Sequence, residues 1–156
     1  MTESSPSESA KSAERFLLDV NVLVALCLTT HIHHASSHAF LARAAAWATT
    51  PLTEAALFRL LLNPAVTGLQ TNVADVTSVV GGFRHDPRWH FLADDSSLAV
   101  PVVATRVLTG HQQVTDLHLV NLARNHRRRL ATFDRALPGW LTPDDRAWVH
   151  VVPSLS

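Results

Sequence analysis

Four carboxylates stand in segments where an acid is costly unless it is used. Asp19 interrupts the apolar run LLDVNVL, Glu54 lies in PLTEAAL, Asp116 in QVTDLHL and Asp134 in LATFDRAL. Acids embedded in apolar segments are expensive to desolvate, and they repel one another when brought together. A cation neutralises such a cluster, and ligands that offer only oxygen suit Mg2+, with Mn2+ as a substitute, rather than zinc. Each acid alone also has a structural reading. Glu54 and Asp116 in a first helical turn complement the macrodipole, and Asp134 suits a turn. Asp19 has no such escape, because FLLDVNVLVAL offers it no solvated face.

The elements that must position these acids follow from hydrophobic periodicity. Residues 16–20 suit a strand buried on both faces, and residues 21–28 a helix docked on it. Phe40, Ala44 and Trp47 recur at helical spacing, which predicts a helix over residues 35–48 that ends in Trp47. A short strand and turn is expected over 49–52, with Thr53 as N-cap of a helix over 54–62 closed by Asn63-Pro64. Asn72 and Asp75 resemble a capping pair, and the stripe Val73, Val76, Val79, Val80 stops at Gly81-Gly82. Thr115 is expected to cap a helix whose stripe is Leu117, Val120, Leu122 and Ala123. Further strands are predicted near 89–93, 129–133 and 148–152, while 101–108 fits strand or helix. Strands alternating with helices imply an α/β fold on a mostly parallel sheet. In such sheets sites form at the carboxyl ends of strands; the four acids stand next to strand ends or helix starts, which can converge at one edge of the sheet.

Composition narrows the classes. The chain has 156 residues, 47% hydrophobic and 17% charged, enough apolar material for a core and too much for a wholly disordered protein. The single cysteine, Cys27, excludes an intramolecular disulfide and a cysteine-rich zinc site. The apolar stretch over 16–28, interrupted by Asp19 and Asn21, is too short and polar to span a bilayer. Residues 1–14 lack the pattern of a signal peptide and read as a disordered tail, so the expected location is cytoplasmic. Thirteen basic residues balance thirteen acidic ones, but the zero is two populations. Outside the tail and the four candidate site acids, twelve arginines face six acids, a cationic body suited to a polyanion.

The blocks LLDVNVLVAL, TPLTEAALFRLLLNP and GHQQVTDLHLVNLARNHRRRLATFDRAL resemble the signature blocks of PIN-domain ribonucleases. More narrowly they are similar to the VapC toxins of bacterial toxin–antitoxin modules, and HIHHASSHAF resembles the mycobacterial branch. The likeness covers residues 16–152. It implies a three-layer α/β/α sandwich, a PIN-like nuclease domain over 15–153, a homodimer, a cognate VapB-type antitoxin and Mg2+-dependent cleavage of RNA to 5′-phosphate and 3′-hydroxyl ends. The family's acidic quartet falls on Asp19, Glu54, Asp116 and Asp134, as catalytic and metal-holding residues. Asn21 and Thr132 match its supporting polar positions, which orient ligands or water.

RNA must be held beside an acidic pocket. The run His126-Arg127-Arg128-Arg129, with Arg124, offers planar forks for phosphate, or else complements a helix C-terminus. His31, His33, His34 and His38 cluster without a nearby cysteine and read as loop and helix-start histidines rather than a zinc site. Trp47, Trp89, Trp140 and Trp148 read as core residues rather than base-stacking ones. Two other functions compete with a nuclease. A catalytically idle RNA-binding module is opposed by the complete quartet. An aspartyl-phosphate phosphatase places a second Asp where Asn21 stands, and the sole lysine, Lys11, lies in the tail.

Overall fold

Strand β1 (Arg15–Leu18) begins the described chain, residues 15–155 of the computed structural model; the expected tail lies outside these residues. Its sequence RFLL is buried from Phe16 onward because both faces are covered: Phe16 and Leu18 join one apolar cluster and Leu17 the other. It pairs in parallel with β2 (Ala46–Thr49) on one side and β4 (Arg129–Thr132) on the other. β3 (Trp89–Phe91) adds beyond β2 and β5 (Val149–Val151) beyond β4, giving the order β3-β2-β1-β4-β5 with every pairing parallel. Parallel neighbours require crossovers over a face of the sheet, so helices must cover it.

On the Leu18 face α1 (Val20–Cys27), α2 (His34–Arg43), α3 (Pro51–Leu61) and, after the short α4 (Pro64–Thr67), which buries no residue, α5 (Val73–Gly82) pack together, burying Val22, Leu23, Leu57, Leu61, Val76 and Val80. The opposite face carries α6 (Val114–Asn125) and α7 (Leu137–Trp140), burying Leu117, Val120, Leu122, Leu130 and Leu137; α8 (Pro143–Arg146) leads into β5. The result is the expected α/β/α sandwich. Each fully buried leucine contributes about 1.5–3 kcal/mol by leaving water. The strand order reverses between β1 and β4, the switch point at which open parallel sheets form crevices.

Three local expectations are corrected. Residues 35–48 are not one helix: α2 stops at Arg43, Ala44 is extended, and Trp47 lies in β2. Both faces of Ala46–Thr49 are buried beside β1, and that tertiary slot outweighs helical spacing in an alanine-rich run. Thr53 is not an N-cap. Helix α3 starts at Pro51, whose fixed φ and missing N–H suit a first turn, with Thr50 as cap and the Thr53 hydroxyl accepting from the Thr50 amide at 3.1 Å. Likewise α6 begins at Val114 after Gln113, so Thr115 lies inside the helix. Asn72 caps α5 as expected, accepting from the Asp75 amide at 2.8 Å. The glycines Gly81 and Gly82 belong to α5, which runs directly into a 3-10 turn, Phe83–His85.

Candidate active site

The switch point between β1 and β4 is where the acids meet. The Asp19 amide donates to Ala131 at 2.9 Å, so the residue after β1 sits against the end of β4. Asp19 is also the N-cap of α1: Oδ1 accepts from the Val20 amide at 2.7 Å, a favourable place for a carboxylate. Its other oxygen accepts from the Thr132 hydroxyl at 2.8 Å. Asn21 braces this pair, donating to Thr132 Oγ1 at 3.0 Å and accepting from the Phe133 amide at 3.1 Å. The Asp134 amide donates to the same Thr132 oxygen at 3.1 Å, and the Asp134 side chain accepts from the Ala136 amide at 2.9 Å. Thr132, fully buried, is thus the node through which two acids and Asn21 are tied.

Electrostatics join Asp116 to this group. Asp19 is 6% exposed, and burial raises its carboxyl above the usual range, opposed by the Thr132 and Val20 hydrogen bonds and reinforced by Asp134. Asp116, in the first turn of α6, is pushed up to about 6 by burial, then by the charges of Asp19 and Asp134. Every one of those influences points upward, the mark of negative charge without a counterion.

Glu54 behaves differently. Its Oε1 accepts from the Thr49 hydroxyl at 2.7 Å and from Arg84 Nη2 at 3.2 Å, with Oε2 at 3.4 Å from the same nitrogen. The structure therefore couples three acids to one another and gives the fourth a guanidinium. Arg84, thirty residues from Glu54, carries no spacing signal, and the sequence did not single it out. The three coupled acids, Asp19, Asp116 and Asp134, offer only anionic oxygens, the chemistry a hard divalent cation takes. As placed, no three His, Cys, Asp or Glu side chains among the described residues are gathered to hold a metal ion.

The remaining residues have other work. The histidines tie α2 to α1: His34 Nδ1 lies 2.7 Å from the Ala25 carbonyl and His38 Nε2 3.0 Å from that of Leu26, two last-turn carbonyls that the helix leaves unpaired. His33 stacks on Phe133, ring centroids 4.4 Å apart, beside Asp134. The arginine run lies at the start of β4, the end of the strands away from the acids, because α6 carries the chain back across the sheet. Arg124 pairs with Asp145 at 2.8 Å; Arg128 is buried and donates to the Phe16 carbonyl; Arg129 donates to the Ala147 and Val149 carbonyls. Arg127, at φ 54, stays exposed. Among the tryptophans Trp47 is core, and Trp89 is half-buried near Glu54.

No protein-family model matches the sequence. Among curated proteins the chain is 45% identical over 120 residues to Ribonuclease VapC38 of Mycobacterium tuberculosis (strain ATCC 25618 / H37Rv), a match spanning 76% of this chain and 84% of that protein. It is 38% identical over 124 residues to Ribonuclease VapC39 of the same strain, spanning 78% and 89%. Ribonuclease VapC29 of that strain is 38% identical over 122 residues, spanning 78% and 86%.

Proposed function

The chain belongs to the VapC ribonuclease family, and from that membership we propose that it is the toxin of a toxin–antitoxin pair, a Mg2+-dependent endoribonuclease. The observation that supports the metal-dependent reading is that Asp19 and Asp116 are both raised at the switch point, by burial and by the neighbouring charge of Asp134. Asp19, Asp116 and Asp134 would hold the ion, and Glu54 would join them on leaving Arg84. When bound, Mg2+ lowers the pKa of water and stabilises charge building on the phosphate.

The chain's own residues set up that chemistry. Val20 and Thr132 fix both oxygens of Asp19, so the carboxylate is oriented before substrate arrives. Asn21 holds the Thr132 hydroxyl in place, and the Ala136 amide holds Asp134. Helix α1 directs its N-terminus at the same crevice and favours an anionic phosphate there. Hydrolysis adds the water oxygen to phosphorus, breaks the bond to the 3′ oxygen and leaves 5′-phosphate and 3′-hydroxyl ends.

Exposed apolar side chains, among them Ile32 at 86% and Leu69 at 68%, suit coverage by a cognate antitoxin and by a second copy of the chain. No helix of the described residues is long and apolar enough to cross a membrane. The test is RNA cleavage by wild type and Asp19→Asn. Cleavage should vanish in EDTA, return with Mg2+ or Mn2+, and be absent in the folded variant; undiminished metal-dependent cleavage by Asp19→Asn would falsify the assignment.

A further inference from the structure

We propose that Arg84, Trp89 and Phe91 form a nucleotide subsite beside Glu54, taking one base of a single-stranded RNA and the phosphate next to it. The proposal rests on the ribonuclease reading. Trp89 and Phe91 are two residues apart in β3, so they share one face of an edge strand. Their ring centroids are 6.3 Å apart, and the Arg84 guanidinium lies 4.4 Å from the Trp89 centroid and 5.7 Å from that of Phe91. Arg84 reaches this place from the turn after α5, where Nη1 donates to the Val80 carbonyl at 3.2 Å. Its plane is therefore set by an aromatic floor, a backbone acceptor and a carboxylate. The Arg84 side chain nonetheless remains 42% exposed and Phe91 47%.

The cluster is joined to the candidate catalytic edge. Trp89 Nε1 donates to Thr49 Oγ1 at 3.0 Å, and that hydroxyl donates to Glu54 at 2.7 Å. A guanidinium fork fits phosphate as it fits carboxylate, so the Glu54 carboxylate marks a position a phosphate oxygen can take. Splayed bases of single-stranded RNA stack on aromatic rings and on guanidinium planes, and both are presented here together. A purely structural cation–π pair would not need a half-exposed phenylalanine on an edge strand, where apolar exposure is a liability.

The test uses the full chain carrying Asp116→Asn, so that RNA survives, and fluorescence anisotropy with a fluorescein-labelled single-stranded RNA of mixed sequence. Phe91→Ala and Arg84→Ala should each raise Kd about tenfold, the scale of one stacked base. Phe91→Leu, which keeps apolar bulk without a flat ring, should weaken binding similarly and guards against misfolding, checked by circular dichroism melting. The same strand with abasic residues should bind the Asp116→Asn protein about tenfold more weakly than intact RNA, and the added Phe91→Ala change should then cost nothing further. Unchanged affinity in folded Phe91→Leu and Arg84→Ala, with RNA still cleaved by the wild type, overturns the subsite and leaves the nuclease standing. A wild-type chain that neither binds nor cleaves RNA overturns both.

Discussion

Replacing Asp116 with Asn should make the metal-free protein more stable at neutral pH while abolishing cleavage. The Asp116 carboxyl rises from its ordinary 3.8 to about 6 in the folded chain, which corresponds to about 3 kcal/mol if fully expressed. Asp116 is only half-buried, and solvent screening reduces this to about 1 kcal/mol. The sign follows from proton linkage. The folded carboxyl holds its proton more tightly than the unfolded one, so the stability this group contributes is fully present below pH 4 and is lost as pH rises through about 6. Asn carries no charge and escapes that loss. In EDTA at pH 7.5 the variant should melt about 3 °C above wild type, with the gap closing towards pH 4. Comparing the two proteins cancels groups that titrate alike in both. Added Mg2+ should raise the wild-type melting temperature more than that of the variant. Equal melting temperatures across pH 4 to 8, or a variant less stable at pH 7.5, would refute the claim that Asp116 carries uncompensated charge.

Thr132→Val removes the hydroxyl that ties Asp19, Asn21 and Asp134; urea denaturation should show a loss of about 1–3 kcal/mol, and RNA cleavage should fall about tenfold or more. Leu117→Ala, at a fully buried position under the sheet, should cost about 2–5 kcal/mol by the same assay, with the site geometry preserved. Burial pushes the Cys27 thiol up to about 11. Iodoacetamide should therefore modify the native protein far more slowly at pH 8.5 than the urea-unfolded protein, as followed by mass spectrometry.

The positions of the four acids relative to strands and helices were legible in the sequence, because burial on two faces and helical capping are local properties. Strands were expected over 16–20 and 129–133 and are found at Arg15–Leu18 and Arg129–Thr132, so Asp19 follows its strand rather than lying within it, at the edge where parallel sheets form sites. Asn21 and Thr132 were each singled out through family resemblance, but their hydrogen bond to one another was not legible, since 111 residues separate them.

Element boundaries were less so. The alanine-rich stretch to Trp47 has a helical period, yet the slot beside β1 converts its end to strand. Whether that slot exists depends on how the rest of the chain packs, which no local window contains.

By itself the sequence determined the fold class, the order of the acids and the family, since each rests on local pattern or on residue identity at matched positions. Only the tertiary structure decided which charges meet. It groups Asp19, Asp116 and Asp134, gives Glu54 to Arg84 on an aromatic floor, and holds the arginine run at the far end of the strands. The physical reason is distance. Coulomb and hydrogen-bond energies depend on separations in space, and folding makes neighbours of residues thirty to more than a hundred positions apart.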